Sequence, residues 1–130
     1  IVIGNYVLSE QFSGDTYKKG MTVRAKIQSE MAKLFESYDI VLCPTCPTPA
    51  FKLGQKVDSP LEMYLSDLFT TFVNLARITS ISIPAGKTTE ANGSMPVGIQ
   101  FAGAMFSEVK VLKLAQAWEN EHPGCGIPLK

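Results

Sequence analysis

Three observations predict an α/β fold. A long stretch of helical periodicity covers about 15–38, a short apolar run rich in β-branched residues stands at 40–43, and a second strand candidate stands at 80–84. Along the chain the order reads helix, strand, loop, helix, strand, turn, strand, helix.

The first helix rests on Tyr17, Met21, Ile27, Met31, Leu34 and Phe35, which recur mostly at three- and four-residue steps, with Arg24 on the same line. Lys18, Lys19, Lys26, Ser29, Glu30 and Lys33 fill the other faces, and Gly20 weakens the helix by about 1 kcal/mol relative to Ala. Ile40-Val41-Leu42-Cys43, closed by Pro44, reads as a buried strand. From Pro44 to Ser59 the chain is rich in Pro and Thr, which dictates an ordered loop. A helix over 59–71 follows, with Ser59 as N-cap, Pro60 at the first position and Glu62 completing a capping box. Its apolar stripe is Leu61, Leu65, Leu68 and Phe72. Ser80-Ile81-Ser82-Ile83-Pro84 is the second strand, ended by Pro84-Ala85-Gly86. Asn92-Gly93 marks a turn, and the third strand runs over 96–103, its glycines implying close backbone approach. Ser107 caps a last helix to about Glu121, with Val111, Leu112, Leu114, Ala115 and Trp118 on its buried side.

Composition removes several functions. The chain has 130 residues with 12 basic and 12 acidic side chains, so it lacks the basic excess of a nucleic-acid binder. A hydrophobic content of 45% argues against disorder, and no apolar run reaches the ~20 residues of a membrane span. Three cysteines are too few and too odd a number for a disulfide scaffold, which favours a reducing compartment. The length suits one domain, but the abrupt opening Ile1-Val2-Ile3-Gly4 reads as a cut inside a larger protein.

Few groups can carry chemistry. Cys43, Cys46, His122 and Cys125 form a conceivable zinc set, but Cys46 and His122 lie far outside finger-like spacing. Pro47 and Pro49 also deny the first pair the helix N-terminus that a redox motif needs. The plainer account is small thiols at a strand end. No Gly-x-Ser-x-Gly and no phosphate loop occurs. Asp67 stands about 120° from the apolar stripe of its helix, beside Tyr64, Thr71 and Asn74. It is either a solvated surface acid or a carboxylate that holds a ligand's ammonium group.

The run Tyr38-Asp39-Ile40-Val41-Leu42-Cys43-Pro44-Thr45-Cys46-Pro47-Thr48-Pro49-Ala50-Phe51 resembles a characteristic stretch of the amidase-signature enzymes. Tyr17-Lys18-Lys19 with Val23-Arg24 is similar to that family's long helix, and Pro96-Val97-Gly98-Ile99-Gln100-Phe101-Ala102-Gly103 to its closing strand. The stretch from Asp58 to Thr70 resembles, more narrowly, the family members that serve as glutamine-hydrolysing subunits of tRNA-dependent amidotransferases. The resemblance implies the C-terminal portion of the amidase-signature fold, a mixed β-sheet flanked by helices, as one segment over 1–130. It implies that the catalytic Ser–cis-Ser–Lys triad lies outside this chain, so the segment alone is inactive, with no metal site and no cofactor of its own.

By the same resemblance, Asp67 matches the acid that receives the α-amino group of glutamine. The parent enzyme would hydrolyse glutamine in the cytoplasm and pass ammonia to a partner subunit. That partner, using ATP and Mg, amidates the amino acid on tRNA and makes most of the tRNA contacts. The isolated segment would self-associate through strand edges. This sequence departs from the family at Arg77-Ile78-Thr79, where Gly-Leu-Pro is usual, and at Phe72, Gly20 and Cys46. Two other expectations stay open: a segment of an amidase acting on a different amide, and a free-standing non-catalytic module, either zinc-bound or an interaction partner.

Overall fold

The computed structural model describes residues 15–51, 53–54, 59–89 and 94–125; the Asn92-Gly93 turn and the opening residues 1–4 lie outside them. Helix α1 (Asp15–Ser37) occupies nearly the expected span. Ile27, Met31, Leu34 and Phe35 on its apolar line are half-buried, whereas Tyr17 and Met21 are exposed. Strand β1 (Ile40–Pro44) follows and ends on a proline that has no N–H to donate.

The segment expected as one helix over 59–71 is two. Helix α2 (Pro60–Ser66) and helix α3 (Leu68–Ala76) meet at Asp67. Asp67 leaves helical geometry with φ −96° and ψ 11°, and its N–H turns back to the Tyr64 carbonyl at 3.2 Å. Its own carbonyl then accepts the Thr70 and Thr71 amides at 3.2 and 2.9 Å, which opens the next helix. The N-terminal cap is as expected, with Ser59 Oγ accepting the Glu62 N–H at 3.4 Å. The break takes α2 out of register with α3, so a stripe drawn across both no longer lies on one face. Leu61, Leu65 and Leu68 are exposed, and the buried positions are Val73 and Ala76.

Strands β2 (Thr79–Lys87) and β3 (Pro96–Gly103) complete a three-stranded sheet in the order β1-β3-β2. Every ladder among the described strands is antiparallel, and the two outer strands therefore run in the same direction on either side of β3. Strand β2 does not stop at Pro84-Ala85-Gly86. A bulge between Pro84 and Gly86 absorbs the missing donor, with Gly86 at φ 112°, and pairing resumes to Lys87. Beyond it, the Thr88 N–H donates to the Met95 carbonyl at 2.8 Å and starts the return.

Alternation along β3 sends its side chains to two layers. On one face Phe101 joins Ile83, Val111 and Ala115 in the core, with Ile40, Ile81, Ile99 and Trp118 packed against it. Full burial of Phe101 and Val111 contributes about 1.5–3 kcal/mol each. This layer is closed by helix α4 (Glu108–Glu121), which lies on β2 and β3. One sheet face covers only the narrow arc of Val111, Ala115 and Trp118, so Leu112 and Leu114, expected inside, are exposed. Trp118 meets Phe101 edge-on at 6.0 Å and donates its indole N–H to the Pro84 carbonyl at 3.2 Å, anchoring the helix at the bulge. Ser107 precedes the helix as expected, but its hydroxyl donates to the Ala104 carbonyl at 2.6 Å and caps nothing. The preceding turn, with Phe106 left-handed at φ 62°, claims it.

Candidate functional site

Asp67 is set where α2 ends and α3 begins, and α3 is fastened at both ends. The last carbonyls of a helix lack intrahelical donors. Here Arg24 of α1 donates from Nε to Leu75 O at 3.3 Å and from Nη2 to Asn74 O at 3.4 Å, and Gln28 Nε2 reaches Leu75 O at 3.2 Å. A guanidinium at this end also meets the negative pole of the helix dipole. Arg77 closes the helix in the left-handed region, φ 57° and ψ 43°, and the Ile78 N–H bonds Val73 O at 3.3 Å. At the other end, Gln100 of β3 donates from Nε2 to the Phe69 carbonyl at 3.0 Å and to Cys43 Sγ at 3.3 Å.

The Asp67 side chain is exposed and caps no helix N–H. Among the described residues no side-chain hydrogen bond joins Asp67 to the Tyr64, Thr71 or Asn74 side chains expected beside it. Tyr64 lies on α2 beyond the break and is exposed, and the Asn74 amide donates along its own helix to Thr70 O at 3.2 Å. What remains is a carboxylate on a fixed corner, able to accept a charge-assisted hydrogen bond from a cation.

Beside this corner runs an open, mostly apolar groove of about 640 Å³, walled by the Pro/Thr loop and β3 and reaching Ser66, the residue before Asp67. Pro47, Pro49, Phe51, Val97 and Ile99 supply much of its wall. A hydroxyl pair braces it: Thr45 and Ser82 oxygens meet at 2.6 Å across the central strand. They can do so because Gly98 lies between them. A Cβ there would stand 2.9 Å from Thr45 Oγ1 and 3.2 Å from Ser82 Oγ.

The four candidate metal ligands are not brought together. Cys43 belongs to β1 and Cys46 to the loop after it, while Cys125 sits by Gly86 of β2, on the far side of β3. The His122 ring stacks on Trp118 at 4.1 Å, with Nδ1 3.0 Å from the Trp118 carbonyl. Among the described residues no three His, Cys, Asp or Glu side chains converge, all three cysteines are free thiols, and no helix is long and apolar enough to cross a membrane.

The sequence alone does not single out Arg24, Gln28, Gln100, Thr45 or Ser82 as parts of a site. Two of them carry a signal. Arg24 falls on an otherwise apolar helix line, and Gln100 interrupts an apolar strand between Ile99 and Phe101.

Comparison with known proteins adds the family. The amidase family profile matches residues 1–112. The glutamyl-tRNA(Gln) amidotransferase A-subunit from Treponema denticola is 60% identical over 122 residues, covering 94% of this chain and 24% of that protein. Its counterpart from Thermodesulfovibrio yellowstonii is 45% identical over 123 residues, 95% of this chain and 25% of that protein. The chain thus spans about a quarter of the length of the curated relatives it matches. Among solved structures, an amidase superposes with a TM-score of 0.74 at 25% identity, covering 92% of this chain and 27% of that one. Allophanate hydrolase from Kluyveromyces lactis superposes at 0.69 with 28% identity, covering 83% and 17%.

Proposed function

The chain belongs to the amidase family, and from that premise we propose that it is a C-terminal segment of the glutamine-hydrolysing component of a tRNA-dependent amidotransferase. It supplies sheet scaffold and a substrate-pocket wall to an active site whose nucleophile lies elsewhere in the parent protein. The observation that carries this reading is the high identity to glutamyl-tRNA(Gln) amidotransferase sequences across nearly the whole chain. The corner at Asp67 agrees with it: an exposed carboxylate just before a helix held at both ends can accept a hydrogen bond from the α-ammonium group of glutamine.

In this reading Asp67 orients the substrate and takes no part in bond breaking. The apolar groove beside it is a wall rather than a source of catalytic groups. Ammonia released from glutamine passes to a partner subunit, where ATP, Mg and the aminoacyl-tRNA are handled, and the complex works in the cytoplasm. Three free thiols agree with a reducing compartment.

The test is kinetic and is made in the full-length protein. Asp67→Ala removes a charge-assisted hydrogen bond to the ground state and transition state alike, so KM for glutamine rises roughly ten- to a hundredfold while kcat changes little. An unchanged KM would make Asp67 an ordinary surface acid. A second reading, an amidase for another amide, is favoured by the structural likeness to allophanate hydrolase. Substrate profiling of the whole protein separates the two.

A further inference from the structure

Asp67 projects from a junction between two short helices, which by itself is a weak place to hold a carboxylate still. The nearest fixed object is the central strand. Gln100 on β3 is only 3% exposed, and a buried primary amide is tolerated where its donors find partners. Those partners belong to two different elements, the Phe69 carbonyl at 3.0 Å and Cys43 Sγ at 3.3 Å. Phe69 is the second residue after Asp67 and lies in the first turn of α3. Its carbonyl has a lone pair to spare beyond the helix ladder. One amide group therefore ties the first turn of α3 to the middle of the sheet, while Arg24 and Gln28 fix the far end of the same helix.

We propose that Gln100 is a positioning residue for Asp67: by holding the Phe69 carbonyl it sets the helix corner from which the carboxylate meets the ammonium group of the substrate. Gln100 itself touches no substrate. The inference rests on the assignment of Asp67 under Proposed function and goes one step behind it.

A purely structural glutamine would affect every substrate, whereas a positioning one affects only those that use Asp67. The experiment compares glutamine with glutaramate, which keeps the amide and the carboxylate but has no α-ammonium group. In the full-length protein, Gln100→Met preserves length and removes both donors. The ratio of KM for glutamine to KM for glutaramate is expected to rise about fivefold, the equivalent of one hydrogen bond. Asp67→Ala raises the same ratio further, and the double variant is no worse than Asp67→Ala alone. Equal losses on both substrates, or additive losses in the double variant, would overturn the inference. If Gln100→Met does not fold, Gln100→Asn, one methylene short of Phe69, is read by the same ratio. A flat ratio in Asp67→Ala removes the assignment of Asp67 itself. A raised ratio there with a flat one at Gln100 removes only the positioning role.

Discussion

Lys110 and Asp39 show how a single pair of side chains ties distant parts of this chain. The Lys110 ammonium donates to Asp39 Oδ1 at 2.5 Å, linking the residue before β1 with α4. Both side chains are exposed, and the hydrogen bond and charge of Lys110 hold the Asp39 carboxyl below its ordinary value. A carboxyl whose folded value is depressed stabilises the fold above the ordinary carboxylate range of about 4, and the contribution fades as pH falls through the lowered value. Lys110→Met should therefore return the Asp39 titration upward, as followed by NMR of its carboxyl carbon. The stability difference from the parent chain should shrink in acid. A titration that does not move would mean the pair is not formed in solution.

At the level of elements, the end of α3 carries a side chain where glycine is the easier residue. Arg77 closes the helix with its backbone left-handed at φ 57°. That region costs a side-chain-bearing residue about 1–2 kcal/mol, and Gly gives back part of the gain through unfolded-chain entropy. Arg77→Gly should stabilise the chain by about 0.5–1 kcal/mol in urea denaturation; a lower midpoint would mean the arginine side chain makes stabilising contacts of its own. The same element shows how far the sequence can be read. Ser59-Pro60 announces a helix start, because capping chemistry is local and lies within three residues. The break at Asp67 is not legible. No Gly or Pro marks it, and the bond that secures the following turn comes from Gln100, 31 residues beyond Phe69. Asp67 is singled out in the sequence only by a resemblance, whereas the groups that fasten the helix after it, Arg24, Gln28 and Gln100, depend on tertiary packing. The strands are readable from β-branched runs, though the bulge at Gly86 lets β2 run past its expected stop.

Among its described residues the molecule keeps a small core and a large apolar exterior. Leu61, Leu68, Phe106, Val109 and Leu112 are each more than half exposed, and β1 borders the sheet at one edge. Exposure of this kind favours association. The 130-residue chain should sediment as a concentration-dependent oligomer, and Leu61→Glu combined with Leu65→Lys should shift it toward monomer. A monomer at every concentration would contradict this.

The strand order has a kinetic consequence. Strand β1 leaves the ribosome well before its neighbour, because its ladder is made with β3, the last strand of the sheet in the chain. The hairpin of β2 and β3 closes over a short connection and can zip early, while β1 must wait for a loop of more than fifty residues to close. By loop length alone Ile40 and Val41 would be the last residues of the sheet to pair, and their edge would stay open until that docking is made.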